Sequence, residues 1–202
     1  MKNQLTYGSL GGGRSYGKDL YLHLDSGTLA IEQVFFKGRR KPGSDFNITY
    51  TPEKRIIADL STGKTNKPII LEVPMGVYTR VELGMQLETQ VKTPVVIQGK
   101  LNKHPSNCLP VRFEYSFSDK IRVWRSEEYN PKVFLSGFKQ SVIWVELNLP
   151  FLFGGVDIEV LKLASSVTEA DQEIILINES NNTQIYNMIS RCLPYCFILA
   201  ID

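Results

Sequence analysis

The sequence predicts a mainly β, antiparallel domain, and three observations carry that expectation. The first is the stretch 55–88, RIIADLSTGKTNKPIILEVPMGVYTRVELGMQLE, in which short aliphatic runs are divided by clusters of turn residues. The second is alternation within it. Val77, Thr79, Val81, Leu83, Met85 and Leu87 fall in one phase, and Tyr78, Arg80, Glu82, Gly84, Gln86 and Glu88 in the other. Period two over that length marks a half-buried strand. The third is the return of alternation at 111–117 and 141–149, after further turn residues.

The elements follow in order. Residues 1–17 are rich in Gly and Ser with little apolar patterning, and read as a flexible leader. Strands are predicted at 19–24 and 28–36, with Asp25-Ser26-Gly27 between them. Phe35 and Phe36 in succession indicate cover on both faces. The basic run KGRRK at 37–41, ending in Pro42-Gly43, reads as a solvated hairpin loop. Strands at 55–60 and 69–73 flank the polar reversal STGKTNK, and Pro74-Met75-Gly76 is the next reversal. Further strands are predicted at 94–101, 111–117 and 120–125, with loops at 102–110 and 127–131. Segments 133–138 and 141–149 read as a hairpin whose second arm points Ile143, Val145, Leu147 and Leu149 inward.

After Pro150 the pattern changes. FLFGG at 151–155 is an apolar turn, and Ile158, Leu161 and Ala164 have helical spacing. A short buried strand follows at 174–177. Asn181 or Asn182 is placed to cap a helix over 183–192 with Ile185, Met188, Ile189 and Cys192 on one stripe; Pro194 ends it, and 197–201 is a final apolar run. The predicted organisation is a leader (1–17), a β domain (18–150) and a helical and strand appendage (151–202).

Composition bounds function. The chain has 202 residues and 43% hydrophobic content, enough for a core. Its 23 basic and 21 acidic residues leave a net charge of +2, no broad field for nucleic acid. No run is long enough to cross a bilayer. The N-terminus lacks the charged-then-apolar layout of a signal peptide, which leaves a cytosolic chain or a mature segment as the alternatives. Cys108, Cys192 and Cys196 are too few and too odd in number for a disulfide framework; Cys192 and Cys196 pair locally, or all three are buried thiols.

Signals for catalysis are weak. GGGRSYG at 11–17 is similar to the phosphate-binding loop of flavin-linked oxidases, but no buried strand precedes it. STGKT at 61–65 lacks the first glycine of a nucleotide-binding loop, because Ala58 stands there. His104, Cys108, Cys192 and Cys196 could in principle form a zinc set, against the reading of separate thiols. His23 lies within a strand and reads as structural. No G-x-S-x-G nucleophile motif is present. Carboxylates brought together by folding leave a hydrolase as the weakest alternative. No cofactor and no metal is expected.

The order LDSGTLAIEQVFFKG, IIADLSTG, ILEVPMGVYTRVELGMQL, then a late alternating strand and an asparagine-led helix, resembles an uncharacterised domain of secreted Bacteroidetes lipoproteins. Asp59-Leu60 and Val73-Pro74-Met75-Gly76-Val77-Tyr78 occupy its recurring pattern, D-L followed by L-P-x-G-x-Y. The resemblance covers the middle third well and the rest in outline. It implies a prealbumin-like β-sandwich held outside the cytoplasm, in the periplasm or at the cell surface, by a lipid on a cysteine of the precursor. It implies no catalytic residues.

The remaining functional signal is aromatic. Trp124 alternates with Arg122 and Ser126, Trp144 with Glu146, and Tyr129 lies in the loop after Trp124. Exposed rings flanked by hydrogen-bonding groups suit stacking on sugars or packing on a partner protein. In the preferred alternative the C-terminal helices cover that face and bury both tryptophans. The expected function is a non-enzymatic binding or structural module of an envelope lipoprotein, with a glycan or another envelope protein as partner. The runner-up is a carbohydrate-binding module using Trp124, Trp144 and Tyr129.

Overall fold

The computed structural model describes residues 2–7, 12–15, 21–104, 107–117, 120–126, 132–136 and 142–201. In chain order the elements are β1 (Lys2–Tyr7), β2 (Gly12–Ser15), β3 (Tyr21–Arg40), β4 (Phe46–Tyr50), β5 (Ile56–Asp59), β6 (Lys64–Thr65), β7 (Ile69–Glu72) and β8 (Gly76–Leu87). Then come β9 (Val95–His104), β10 (Asn107–Tyr115), β11 (Lys120–Ser126), β12 (Val133–Leu135), β13 (Val142–Leu147), α1 (Leu149–Leu152) and α2 (Ile158–Lys162). The chain closes with β14 (Val167–Glu169), β15 (Gln172–Ile177), α3 (Thr183–Cys192), a single 3₁₀ turn (Leu193–Tyr195) and β16 (Phe197–Ile201).

The mainly β expectation holds, with two sheets among the described residues. The smaller runs β16-β13-β1-β7; the larger runs β11-β8-β3-β9-β10-β15-β14, with β2, β4 and β5 also paired to β3 and β12 to β8. Both sheets are mixed rather than purely antiparallel, because β1 lies parallel to β13 and β10 parallel to β15. Parallel neighbours need long connections, and alternation cannot reveal them.

The hub of the large sheet is β3. It is 20 residues long and pairs with β2, β4, β5, β8 and β9. Asp25-Ser26-Gly27 does not divide it. Instead the register against β9 shifts between Leu24 and Ser26, so the turn-like residues serve a bulge. The basic run is likewise strand rather than loop as far as Arg40. The reversal follows at the cis Lys41-Pro42 bond and Gly43.

Other connections differ from expectation. Segments 133–138 and 141–149 are not a hairpin: β12 pairs with β8, whereas β13 lies between β1 and β16 in the other sheet. Alternation specifies which face is buried and not which strand is the neighbour. The predicted loop 102–110 is largely strand, with β9 reaching His104 and β10 starting at Asn107. Pro110 is tolerated there because β15 pairs only from Val111 onward, so no second strand asks for its missing donor. Within the stretch read as a flexible leader, Lys2–Tyr7 is paired on both sides, to β13 and β7. Residues 151–202 supply β14 and β15 to one sheet and β16 to the other, as well as helices.

One hydrophobic cluster joins these parts. Phe36, Leu83 and Ile121 enter it from the large sheet, Leu71, Val145 and Leu199 from the small one, and Ile185 and Ile189 from α3. Tyr186 of α3 lies against Phe113 and Tyr115 of β10, with ring centroids 5.9 and 6.4 Å away. The helix spans the residues expected of it, but its cap differs. Asn182 has φ 52° and makes no side-chain bond to the helix. Its Oδ1 accepts from Ser165 N at 2.8 Å, and its Nδ2 donates to Ser165 O at 2.9 Å and Leu176 O at 2.7 Å. One amide thus ties the end of β15, the segment after α2 and the start of α3.

The residues that carry the family resemblance have structural work here. Asp59 Oδ1 accepts from Ser61 N and Oγ at 2.8 and 2.6 Å, closing the turn after β5. Tyr78 is buried, and its hydroxyl donates to Pro74 O at 2.7 Å. Gly76, at φ +148°, supplies the backbone conformation of that reversal, and a Cβ there would stand 3.3 Å from Arg40 Nε.

Candidate functional site

A half-open groove of about 670 Å³ lies on a polar part of the surface. Its walls come from Glu32 of β3, the β4–β5 connection, Asn66 after β6, and Glu88 and Gln90 after β8. Local chemistry shapes it. Asn66 Oδ1 accepts from Ile57 N at 2.9 Å, and Asn66 Nδ2 donates to Arg55 O at 3.3 Å. Lys67 Nζ donates to Lys54 O. The β6 arm therefore braces the 54–57 wall.

Glu88 is the unusual member. It is 8% exposed, the single buried charged residue among the described ones. Its N–H donates to Ala30 O at 3.0 Å, which continues the β3–β8 ladder past the end of β8. Its Oε1 accepts from Gln90 N at 3.1 Å. A carboxylate withdrawn from water needs such donors, and a ligand hydroxyl or ammonium can supply another. Glu32 and Glu53 line the same groove, as do the cations Lys54 and Arg55. Both signs of charge with Thr51, Asn66 and Gln90 make a lining that can accept from and donate to a polyhydroxylated molecule.

Sequence reasoning missed this site. Glu88 falls in the polar phase of the 77–87 alternation with Glu82 and Gln86, so it reads as solvent-facing. It shares the groove with the 51–55 connection, which no periodicity places.

The aromatic candidates are not brought together. Trp124 lies on β11, opposite Glu82 of β8. Trp144 lies on β13, between Thr6 and Ala200. Those strands belong to different sheets. The side chains of both tryptophans, and all of Tyr129, fall outside the described residues. The described neighbours in the same phases, Lys120 and Arg122 on β11 and Glu146 on β13, are exposed. The buried residues of α3 face the core and β10, whereas the 3₁₀ turn that follows it and β16 pack against β11.

The remaining candidates are dispersed. His23 Nε2 lies 2.8 Å from Asp25 Oδ1 at the surface. Among the described residues no group of His, Cys, Asp and Glu converges to hold a metal. The His104 side chain lies outside the described residues, and Cys108 is exposed. Cys192 and Cys196 are free thiols, not a disulfide. Cys196 donates to Cys192 O at 2.9 Å, and burial pushes its thiol up to about 12. Such a thiol is inert rather than nucleophilic at neutral pH.

No helix among the described residues is long and apolar enough to cross a membrane. Comparison with protein-family models, with curated proteins and with solved structures found no match to this chain.

Proposed function

We propose that this chain is a ligand-binding module outside the cytoplasm, a β-sandwich of prealbumin-like type belonging to a bacterial envelope lipoprotein, and that its ligand is a glycan held in the Glu88 groove. The observation that carries the binding role is the groove itself. Its volume of about 670 Å³ falls inside the range of about 300–1,000 Å³ typical of ligand sites. Its hydrogen-bonding lining and buried carboxylate match hydroxyl-rich ligands better than apolar ones. The sandwich reading draws support from the single cluster to which both sheets contribute. The envelope setting draws support from the Asp59-Leu60 and Val73–Tyr78 pattern.

A second reading rests on one observation, that Glu32, Glu53 and Glu88 line the same groove. Paired carboxylates are the machinery of glycoside hydrolysis. One experiment separates the two. The full chain is incubated with a panel of oligosaccharides, and both binding and product release are followed. A binding module gives saturable binding, a shift in thermal unfolding and no product. Ligand at a hundred times Kd adds about 2.7 kcal/mol of stability. Glu88→Gln abolishes the binding while Trp124→Ala leaves it intact. Binding lost only in Trp124→Ala transfers the site to the aromatic surface, and product that disappears in Glu88→Gln establishes the hydrolase.

A further inference from the structure

The outward face of the large sheet is patterned more strongly than a solvated surface requires. Four strands lie side by side there in the order β4-β3-β8-β11. Register sets the rows. Asn47, Lys37, Glu82 and Trp124 occupy one; Thr49, Phe35, Gly84 and Arg122 the next; Gln33, Gln86 and Lys120 a third. Arg39 and Arg80 are direct partners across β3 and β8. Strands stand about 4.8 Å apart, so the described side chains of these rows set cations among amides and hydroxyls.

Cations outnumber acids on this face. Lys37, Arg39, Arg80, Lys120 and Arg122 share it with Glu82, and Asp45 stands at its rim. The chain as a whole carries only +2. Like charges directly opposite in an antiparallel pair are destabilising, yet Arg39 and Arg80 are so placed, 67% and 50% exposed. The acids offset this loosely, with Arg39–Asp45 and Arg80–Glu82 at 4.0 Å and Lys37–Glu82 at 3.8 Å. A hollow of about 210 Å³ opens between Lys37, Arg39, Asp45, Asn47, Arg80 and Glu82. Within it Glu82 Oε1 is buried with no hydrogen-bond donor among the described residues.

We infer that this face binds a linear acidic polysaccharide, a chain bearing carboxylate or sulfate groups alongside free hydroxyls. The guanidinium forks of Arg39, Arg80 and Arg122 match carboxylate and sulfate oxygens. Glu82, only loosely paired with Lys37 and Arg80, can accept from a sugar hydroxyl, which a phosphodiester backbone does not offer. Gln33, Gln86, Asn47 and Thr49 take further hydroxyls. The described aromatic ring of this face, Phe35, is only 5% exposed, with Lys120 Nζ 4.4 Å and Lys37 Nζ 5.7 Å from its centroid. It offers no wedge to a bilayer and no platform to a base. No residue that lines the hollow of this face also lines the Glu88 groove.

The test uses the full chain and two probes, polygalacturonate for carboxylates and heparin for sulfates, at low ionic strength, with a DNA duplex and phosphatidylglycerol vesicles in parallel. Arg39→Glu and Arg122→Glu each weaken binding to at least one polysaccharide roughly tenfold or more, a loss of about 1.4 kcal/mol. Lys162→Glu, the same charge change on α2, leaves it within about threefold, the scatter of a long-range charge effect at this salt. Arg39→Glu also melts at or above the wild-type temperature, because it relieves the pair with Arg80, so lost binding is not lost folding. The inference is overturned if wild type binds neither polysaccharide, if Lys162→Glu weakens binding as much as Arg39→Glu, or if DNA or vesicles bind as tightly as the polysaccharides.

Discussion

The ring of Phe35 fills the space above Gly84 on the neighbouring strand, where an added Cβ would come within 1.7 Å of Phe35 Cζ. The two are direct partners across β3 and β8. An aromatic ring laid over a glycine covers the backbone that the missing side chain leaves bare. It also explains the paired phenylalanines: Phe36 enters the core, and Phe35 is buried on the opposite face by Gly84 and two lysines. Gly84→Ala is expected to cost about 1–3 kcal/mol by overpacking, measured by urea unfolding. Phe35→Ala in the same chain removes the clash, so the double variant is more stable than the sum of the single losses by about 0.5–3 kcal/mol. Additive losses would show that the ring and the glycine are not coupled.

Asn182 gives a second prediction. Its left-handed backbone and its bonds to Ser165 and Leu176 are separable. Asn182→Ala loses both and is expected to cost about 2.5–6.5 kcal/mol, from a left-handed cost of about 1–2 and three hydrogen bonds of about 0.5–1.5 each. Asn182→Gly keeps the backbone and costs less. Equal losses in the two variants would leave the backbone conformation without a share.

The cysteines should differ in reactivity. Cys108 is exposed, whereas Cys196 is buried and its thiol is pushed up to about 12 by burial and by neighbouring Cys192. At pH 8 iodoacetamide is expected to label Cys108 first and to leave Cys196 unmodified until the protein unfolds, as read by peptide mass spectrometry. The raised thiol also couples to stability. Its contribution is complete below the ordinary value of 9.0 and is lost progressively as pH climbs toward about 12. Cys196→Ala removes that alkaline slope at the cost of a small cavity.

Asp59 works in the opposite direction. The Ser61 hydroxyl, with the Ser61 and Thr62 amides, holds its carboxyl below the ordinary 3.8. A depressed folded value stabilises above 3.8 and the contribution disappears as pH falls through the lower folded value. Acid titration of urea stability should show that slope in wild type and not in Asp59→Asn. Parallel acid limbs would assign the slope to other carboxylates.

Much of the fold was legible in the sequence, and the reasons are local. From Val81 onward the phase of β8 was readable because period two needs only the strand's own residues: Val81, Leu83, Met85 and Leu87 are all buried, whereas before it Tyr78 of the other phase is buried and Val77 and Thr79 are not. The helix 183–192 was readable from its stripe and flanking asparagine and proline. The length of β3 was not, because Asp25-Ser26-Gly27 and the basic run have turn-like composition. Backbone pairing to β9 and β8 overrides that preference, and the pleat absorbs the misfit as shifts of register. The Glu88 groove was illegible for a related reason, since its walls come from segments far apart in the chain.

Sequence alone therefore determined the class of secondary structure, the buried phase of its clearest strands and the place of its last helix, because each depends on neighbours within one element. Tertiary structure decided the rest. It chose β1 and β16 as the partners of β13, closed a groove over Glu88, and set Arg39 opposite Arg80. Those outcomes depend on which strands meet and in what register, and hydrogen-bonding groups that are identical along every backbone leave that choice to the packing of the whole core.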